Sequence, residues 1–200
     1  MIPIILTSAA YIAAQILADI GSLRIIFLFG FSMDGGTLIY PFTFTLRDMV
    51  HKAAGVHAAR ALIIAAAAIN LLMACYFWLI SVLPADPSVT QANFSAVLTP
   101  VWRIVFASIL AEIISEFLDT EIYHLWVTHF TQRFQWTRVL TSNAISIPID
   151  SLIFTWAAFG GWLATEVVWS IFLSNLLVKG ATTLIGMPLI YLVKDETQKP

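Results

Sequence analysis

The chain has 200 residues, of which 60% are hydrophobic and 11% charged, with a formal net charge of −2 and a mean hydropathy of +0.87. A soluble domain carries roughly 25% charged residues, and one this small cannot hide so much apolar surface. The same numbers exclude disorder. The single cysteine, Cys75, excludes a disulfide scaffold, and the charge leaves no basic footprint for nucleic acid. What remains is an all-α integral membrane protein, with residues 1–200 forming a single transmembrane domain.

A membrane span needs roughly 17–25 mostly apolar residues. The first candidate is the charge-free run 1–18, giving a helix over about 2–20. It lacks the basic start of a signal peptide, and comparable apolar segments follow it, so it reads as a retained helix. Residues 21–34 read as a linker. The second helix is expected over 35–50, ending in Arg47 and Asp48. The third, 58–83, is the cleanest span, with Asn70 its main polar interruption. A polar loop rich in Pro, Asp, Ser and Asn follows over 84–99. The fourth helix, 100–123, carries Arg103, Glu112, Glu116, Asp119 and Glu121. The fifth, 138–159, carries Asp150, and Gly160 and Gly161 separate it from the sixth, 165–193, which is interrupted only by Lys179. The expectation is therefore a bundle of six transmembrane helices.

Charges on such helices must face the bundle or the water interface. Glu112, Glu116 and Asp119 recur at i, i+4 and i+7 and share about 60° of one helix face. This makes either a solvated stripe or an acceptor-rich cavity wall. Asn143, Ser146 and Asp150 form a second stripe, at i, i+3 and i+7, on the fifth helix, where Pro148 removes a backbone donor. On the sixth, Asn175, Lys179 and Thr182 or Thr183 form a third stripe. A lysine at this depth needs an acid, and Asp150, Asp119 and Glu116 are the candidates. On the second helix, the aromatic and threonine content beside Pro41 (Thr37, Tyr40, Phe42, Thr43, Phe44 and Thr45) suits either a pocket for a flat ligand or ordinary packing. Trp78, Trp102, Trp126 and Trp136 stand near expected span ends, where aromatic anchors collect.

No metal spacing links His51, His57, His124 and His129, and no phosphate loop, nucleophile elbow or HExxH is present. No metal, cofactor or enzymatic chemistry is therefore expected. With the N-terminus inside, Arg47, Lys52, Arg60, Arg133, Arg138, Lys194 and Lys199 lie on the inner side, and Arg24 and Arg103 on the outer. This bias places both termini in the cytoplasm, in the inner (plasma) membrane.

Four local patterns in order along the chain carry a family resemblance. They are Pro41-Phe42-x-Phe44 with Asp48, Gly55 and Arg60; Arg103 with Ala107-Ser108, Ala111 and Asp119; Ser142 with Asp150-Ser151 and Phe154; and Lys179 with Pro188. Together they resemble the queuosine precursor transporter (VUT) family. The resemblance implies a six-helix importer of a 7-deazaguanine, such as 7-cyano-7-deazaguanine (preQ0), for tRNA queuosine modification. It also implies a bundle similar to the substrate-binding components of energy-coupling-factor vitamin importers.

The residues are compatible with that substrate. A carboxylate at Asp119, Asp150 or Glu116 pairs with adjacent N–H donors of such a base, Lys179 donates to its carbonyl, and Phe42, Phe44 or Phe154 stacks on its face. The expected substrate-binding set is Phe42, Phe44, Arg47, Asp48, Glu112, Glu116, Asp119, Asn143, Asp150, Asn175 and Lys179. The surplus of acids also suits proton coupling. The alternative reading is a binding component of a multi-subunit ATP-driven importer for a vitamin-like molecule, with Ala65–Ala68 and the Ala9–Ala14 region as a coupling surface. Expected partners are a deazapurine and the lipid bilayer, with a second copy or a coupling subunit left open.

Overall fold

The computed structural model describes residues 2–86, 88, 94–129 and 135–186. Six long helices organise it: α1 (Ile2–Gly21), α2 (Pro41–Ala54), α3 (Val56–Val82), α5 (Val101–His129), α6 (Gln135–Phe159) and α7 (Thr165–Gly186), with a short α4 (Phe94–Leu98) in the loop before α5. Four of them hold stretches long and apolar enough to cross a membrane: Ile4–Gly21, His57–Val82, Phe94–Ser115 (which takes in α4) and Thr165–Ile185. In α6 the apolar stretch is shorter, Asn143–Phe159. The chain is a multi-pass, mostly helical membrane protein. Helices α5 and α6 run longer at the end where they are joined than the sequence suggested, to His129 and from Gln135. The expected end of the last helix at 193 lies outside the described residues.

The segment 21–34 is not a plain linker. Strands β1 (Ile25–Leu28) and β2 (Phe31–Asp34) pair antiparallel, with Leu28 opposite Phe31 at the closing end. The two turn residues, Phe29 and Gly30, both take positive φ, 51° and 85°, as a tight turn matched to strand twist requires. A phenylalanine there lacks the usual Asn-Gly or Asp-Gly signal, which is why the hairpin is hard to read from sequence.

The second helix begins at Pro41 rather than 35. Residues Gly35–Leu38 form one 3-10 turn capped by Asp34, whose side chain accepts from the Thr37 N–H. Pro41 then opens α2, where its missing N–H costs nothing. Gly36 sits against the Ala18 carbonyl and the Ser22 hydroxyl, a position with no room for a Cβ. The chain therefore enters α2 from about a turn below the end of α1. From there the 14 residues of α2 add about 21 Å, so α2 alone is too short to be a full span.

Non-helical backbone at such depth is tolerated where protein covers it and supplies hydrogen bonds. Here α7 does so. The Ser32 N–H donates to Ser170 Oγ at 2.8 Å, and Ser174 Oγ donates to the Ser32 carbonyl at 3.3 Å.

Packing follows membrane rules. Buried alanines, among them Ala14, Ala66, Ala107 and Ala158, let helices approach closely. One core cluster joins α5, α6 and α7 through Ile104, Phe159, Val168 and Ile171. Another joins α1, α2 and α3 through Tyr11, Val50, Leu62 and Ala66. The outer faces are apolar, with Leu72, Trp78, Trp102, Phe106 and Ile113 exposed, while Gln15, Asp19, Ser108, Asp150, Asn175 and Lys179 are buried. Apolar outside and polar inside is the arrangement lipid demands.

Candidate functional site

A polar cavity lies where α1, the hairpin, α5, α6 and α7 meet. It is lined by residues that include Asp19, Asp34, Tyr40, Asp150, Asn175 and Lys179. The non-atom space between its side chains, open mouth included, is about 340 Å³. Lys179 and Asp150, 3% and 1% exposed, form an ion pair of 2.5 Å. The second Asp150 oxygen accepts from Ser115 Oγ at 3.3 Å. The Lys179 ammonium also lies 4.7 Å from the centre of the Tyr40 ring, so carboxylate and π-face share its charge.

The same cavity holds Asp34. Its Oδ1 accepts from Ser22 Oγ at 2.7 Å and from the Thr37 N–H at 3.1 Å, and its Oδ2 accepts from Thr37 Oγ1 at 2.7 Å. The Thr37 hydroxyl is also bonded to the side-chain amide of Asn175. The hairpin and 3-10 turn are thus tied to α7 inside the cavity. Phe154 supplies an aromatic wall and is held edge-on by Phe159 at 5.9 Å.

A second cavity shares Tyr40 with the first and is lined by Tyr11, Tyr40, Thr43, Phe44, Arg47, Glu112 and Ser115. Here Glu112 Oε1 accepts from Tyr11 OH at 2.7 Å and from Gln15 Nε2 at 3.2 Å. Arg47 lies 5.7 Å from the centre of the Phe44 ring.

The residues expected from sequence therefore divide. Asp150, Asn175 and Lys179 converge on the first cavity; Phe44, Arg47 and Glu112 line the second. Asn143 is half-buried and lines neither. Phe42 lines neither as well: one position into a helix that starts at Pro41, it points outward and is 56% exposed. Thr182 turns its hydroxyl back to the Val178 carbonyl at 2.7 Å and does not extend the Asn175–Lys179 stripe. The side chains of Asp48, Glu116 and Asp119 lie outside the described part of the structure.

Asp19, Ser22 and Asp34 line the first cavity without having been anticipated, and Thr37 and Tyr40 line it from the segment whose aromatic and threonine content suited a pocket. The signal for Asp19 was available. Tyr11, Gln15 and Asp19 recur at i, i+4 and i+8, one face of a helix otherwise almost wholly apolar.

An apolar-skinned helical bundle with polar cavities buried among its spans has the layout that a membrane transporter of a small polar molecule needs. The chain belongs to the family described as "Putative vitamin uptake transporter", whose model matches residues 34–193. It is similar to a "Probable queuosine precursor transporter" of Bacillus subtilis (strain 168), with 29% identity over 185 residues, 90% of this chain and 80% of the relative. No solved structure gives a significant match.

Proposed function

We propose that this chain imports a queuosine precursor, a 7-deazaguanine such as 7-cyano-7-deazaguanine, across the inner (plasma) membrane for tRNA queuosine modification. The observation that carries this reading is the buried Asp150–Lys179 pair beside Asn175, Tyr40 and Phe154, in a chain similar to the Bacillus subtilis protein. A deazaguanine is flat and carries N–H donors next to a carbonyl. Burial of such a base is favourable only where its polar groups find partners. Carboxylates suit the donors, the Lys179 ammonium suits the carbonyl, and Phe154 or Tyr40 suits the ring face. The second cavity shares Tyr40 with the first.

Uptake of labelled 7-cyano-7-deazaguanine by cells that cannot synthesise it tests the proposal. Expression of this chain is expected to raise uptake and restore queuosine in tRNA, with guanine and water-soluble vitamins failing to compete. Uptake of a vitamin in place of the deazaguanine sinks the substrate assignment. Copurification with an ATPase subunit, needed for uptake, replaces it with the ATP-driven importer.

A further inference from the structure

Three carboxylates line the first cavity: Asp19, Asp34 and Asp150. Two of them have no oxygen without a partner. Asp34 is bonded through both oxygens to Ser22 and Thr37, and Asp150 to Lys179 and Ser115. Asp19 differs. It is 2% exposed, shares the cavity wall with Ser108, and its Oδ2 has no hydrogen-bond partner. One helical turn away, Gln15 Oε1 is likewise buried and unpartnered. Two acceptors on one face of α1 thus stand without a donor.

We infer that Asp19 Oδ2 holds a proton when the cavity is empty, and that an N–H donor edge of the ligand takes that proton's place when the cavity fills. A buried carboxylate with an unpaired oxygen costs several kcal/mol. A proton on Oδ2 removes the charge and turns one of the two orphaned acceptors into a donor.

Among the described residues none forms an ion pair with Asp19. Asp34 lines the same cavity and Glu112 the neighbouring one, both like charges. Tyr40, Asp150 and Lys179 complete the titratable lining, and Lys179 is bonded to Asp150. Arg47 on α2 and Tyr11 on α1 stand in the second cavity with Glu112.

Binding then runs as an exchange. The ligand keeps its ring N–H and amino protons and donates them to the ionised Asp19, and the proton from Oδ2 leaves to solvent. One proton is released per ligand bound. The ligand class rests on the function proposed above; the proton on Asp19 does not.

The experiment separates the two. Infrared spectra of the ligand-free full-length protein in lipid nanodiscs are expected to show a protonated carboxyl band that Asp19→Asn removes and that Asp86→Asn, at an exposed carboxylate away from the cavity, leaves. Absence of the band, or its survival in Asp19→Asn, overturns the proposal whatever the substrate.

Calorimetric titration of the wild-type protein with 7-cyano-7-deazaguanine, in buffers of different protonation enthalpy, is expected to give one proton released per ligand. On the acid side, apparent affinity is expected to fall about tenfold per pH unit. Asp19→Asn is expected to weaken binding at least tenfold and to abolish the release. Binding that releases no proton and leaves the band unchanged overturns the exchange. An intact, Asp19-dependent band with no deazaguanine binding upholds the proton site and sinks the substrate assignment instead.

Discussion

Lys179 shows how one side chain binds architecture to chemistry. Its 2.5 Å pair with Asp150 is the partnership a mid-span lysine requires, and sequence narrowed it to three acids. Removing one member strands the other, a loss of about 3–5 kcal/mol for a buried pair. Lys179→Met is therefore expected to lower thermal stability by that amount. Adding Asp150→Asn should restore most of it, because both charges are then gone. If the pair is also read by the ligand, the restored double variant still fails to take up deazaguanine. A stable double variant with normal uptake leaves Lys179 as architecture alone. This residue was legible because charge at depth is rare. Asp34 and Thr37 were not, because their role depends on the 3-10 turn that brings them beside Asn175.

At the scale of elements, the segment between α1 and α2 departs most from what periodicity suggests. A short hairpin turned through Phe29-Gly30 carries neither helical spacing nor a recognisable turn dipeptide. Its depth is set by Gly36 against the backbone of α1, a contact between segments that no local pattern encodes. Gly36→Ala places a methyl group into the Ala18 carbonyl and Ser22 hydroxyl, so the turn must move and Thr37 and Asp34 with it. The expected cost is about 1–3 kcal/mol, the range for overpacking a tight interior, together with weakened ligand binding. Gly180→Ala is the control. No neighbouring atom lies within 4 Å of its added methyl, and alanine favours a helix interior by up to about 1 kcal/mol, so stability should hold or rise. Equal losses in both variants, read as melting temperature in detergent, would show that the close approach of Gly36 is not what seats the turn.

For the whole molecule, the six long helices were legible because apolar length and glycine or proline punctuation survive without tertiary information. That α2 is too short to span alone was not, since it begins inside the bundle. The ends nevertheless group consistently. Arg103, at the start of α5, donates Nε to the Ala157 carbonyl at 2.9 Å and its guanidinium also meets the Gly160 carbonyl, so the start of α5 and the end of α6 share one side. There it lies 4.7 Å from the centre of the Trp162 ring. Leu23 packs against both the α5–α6–α7 cluster and the α3–α5 cluster, which brings the end of α1 and its hairpin to that same side. Ser88 and Gly161 must therefore face one compartment, and the α2–α3 and α5–α6 junctions the other, whichever way the bundle inserts. The excess of Lys and Arg around Lys52, Arg60, Arg133 and Arg138 then selects the sign. We expect reporter fusions at Lys52 and Gln135 to be cytoplasmic and fusions at Ser88 and Gly161 external, so that the first cavity, beneath the hairpin, lies toward the outside. Ser88 and Gly161 on opposite sides would refute the bundle; both on the cytoplasmic side would keep the bundle and invert the insertion, turning the first cavity toward the cytoplasm.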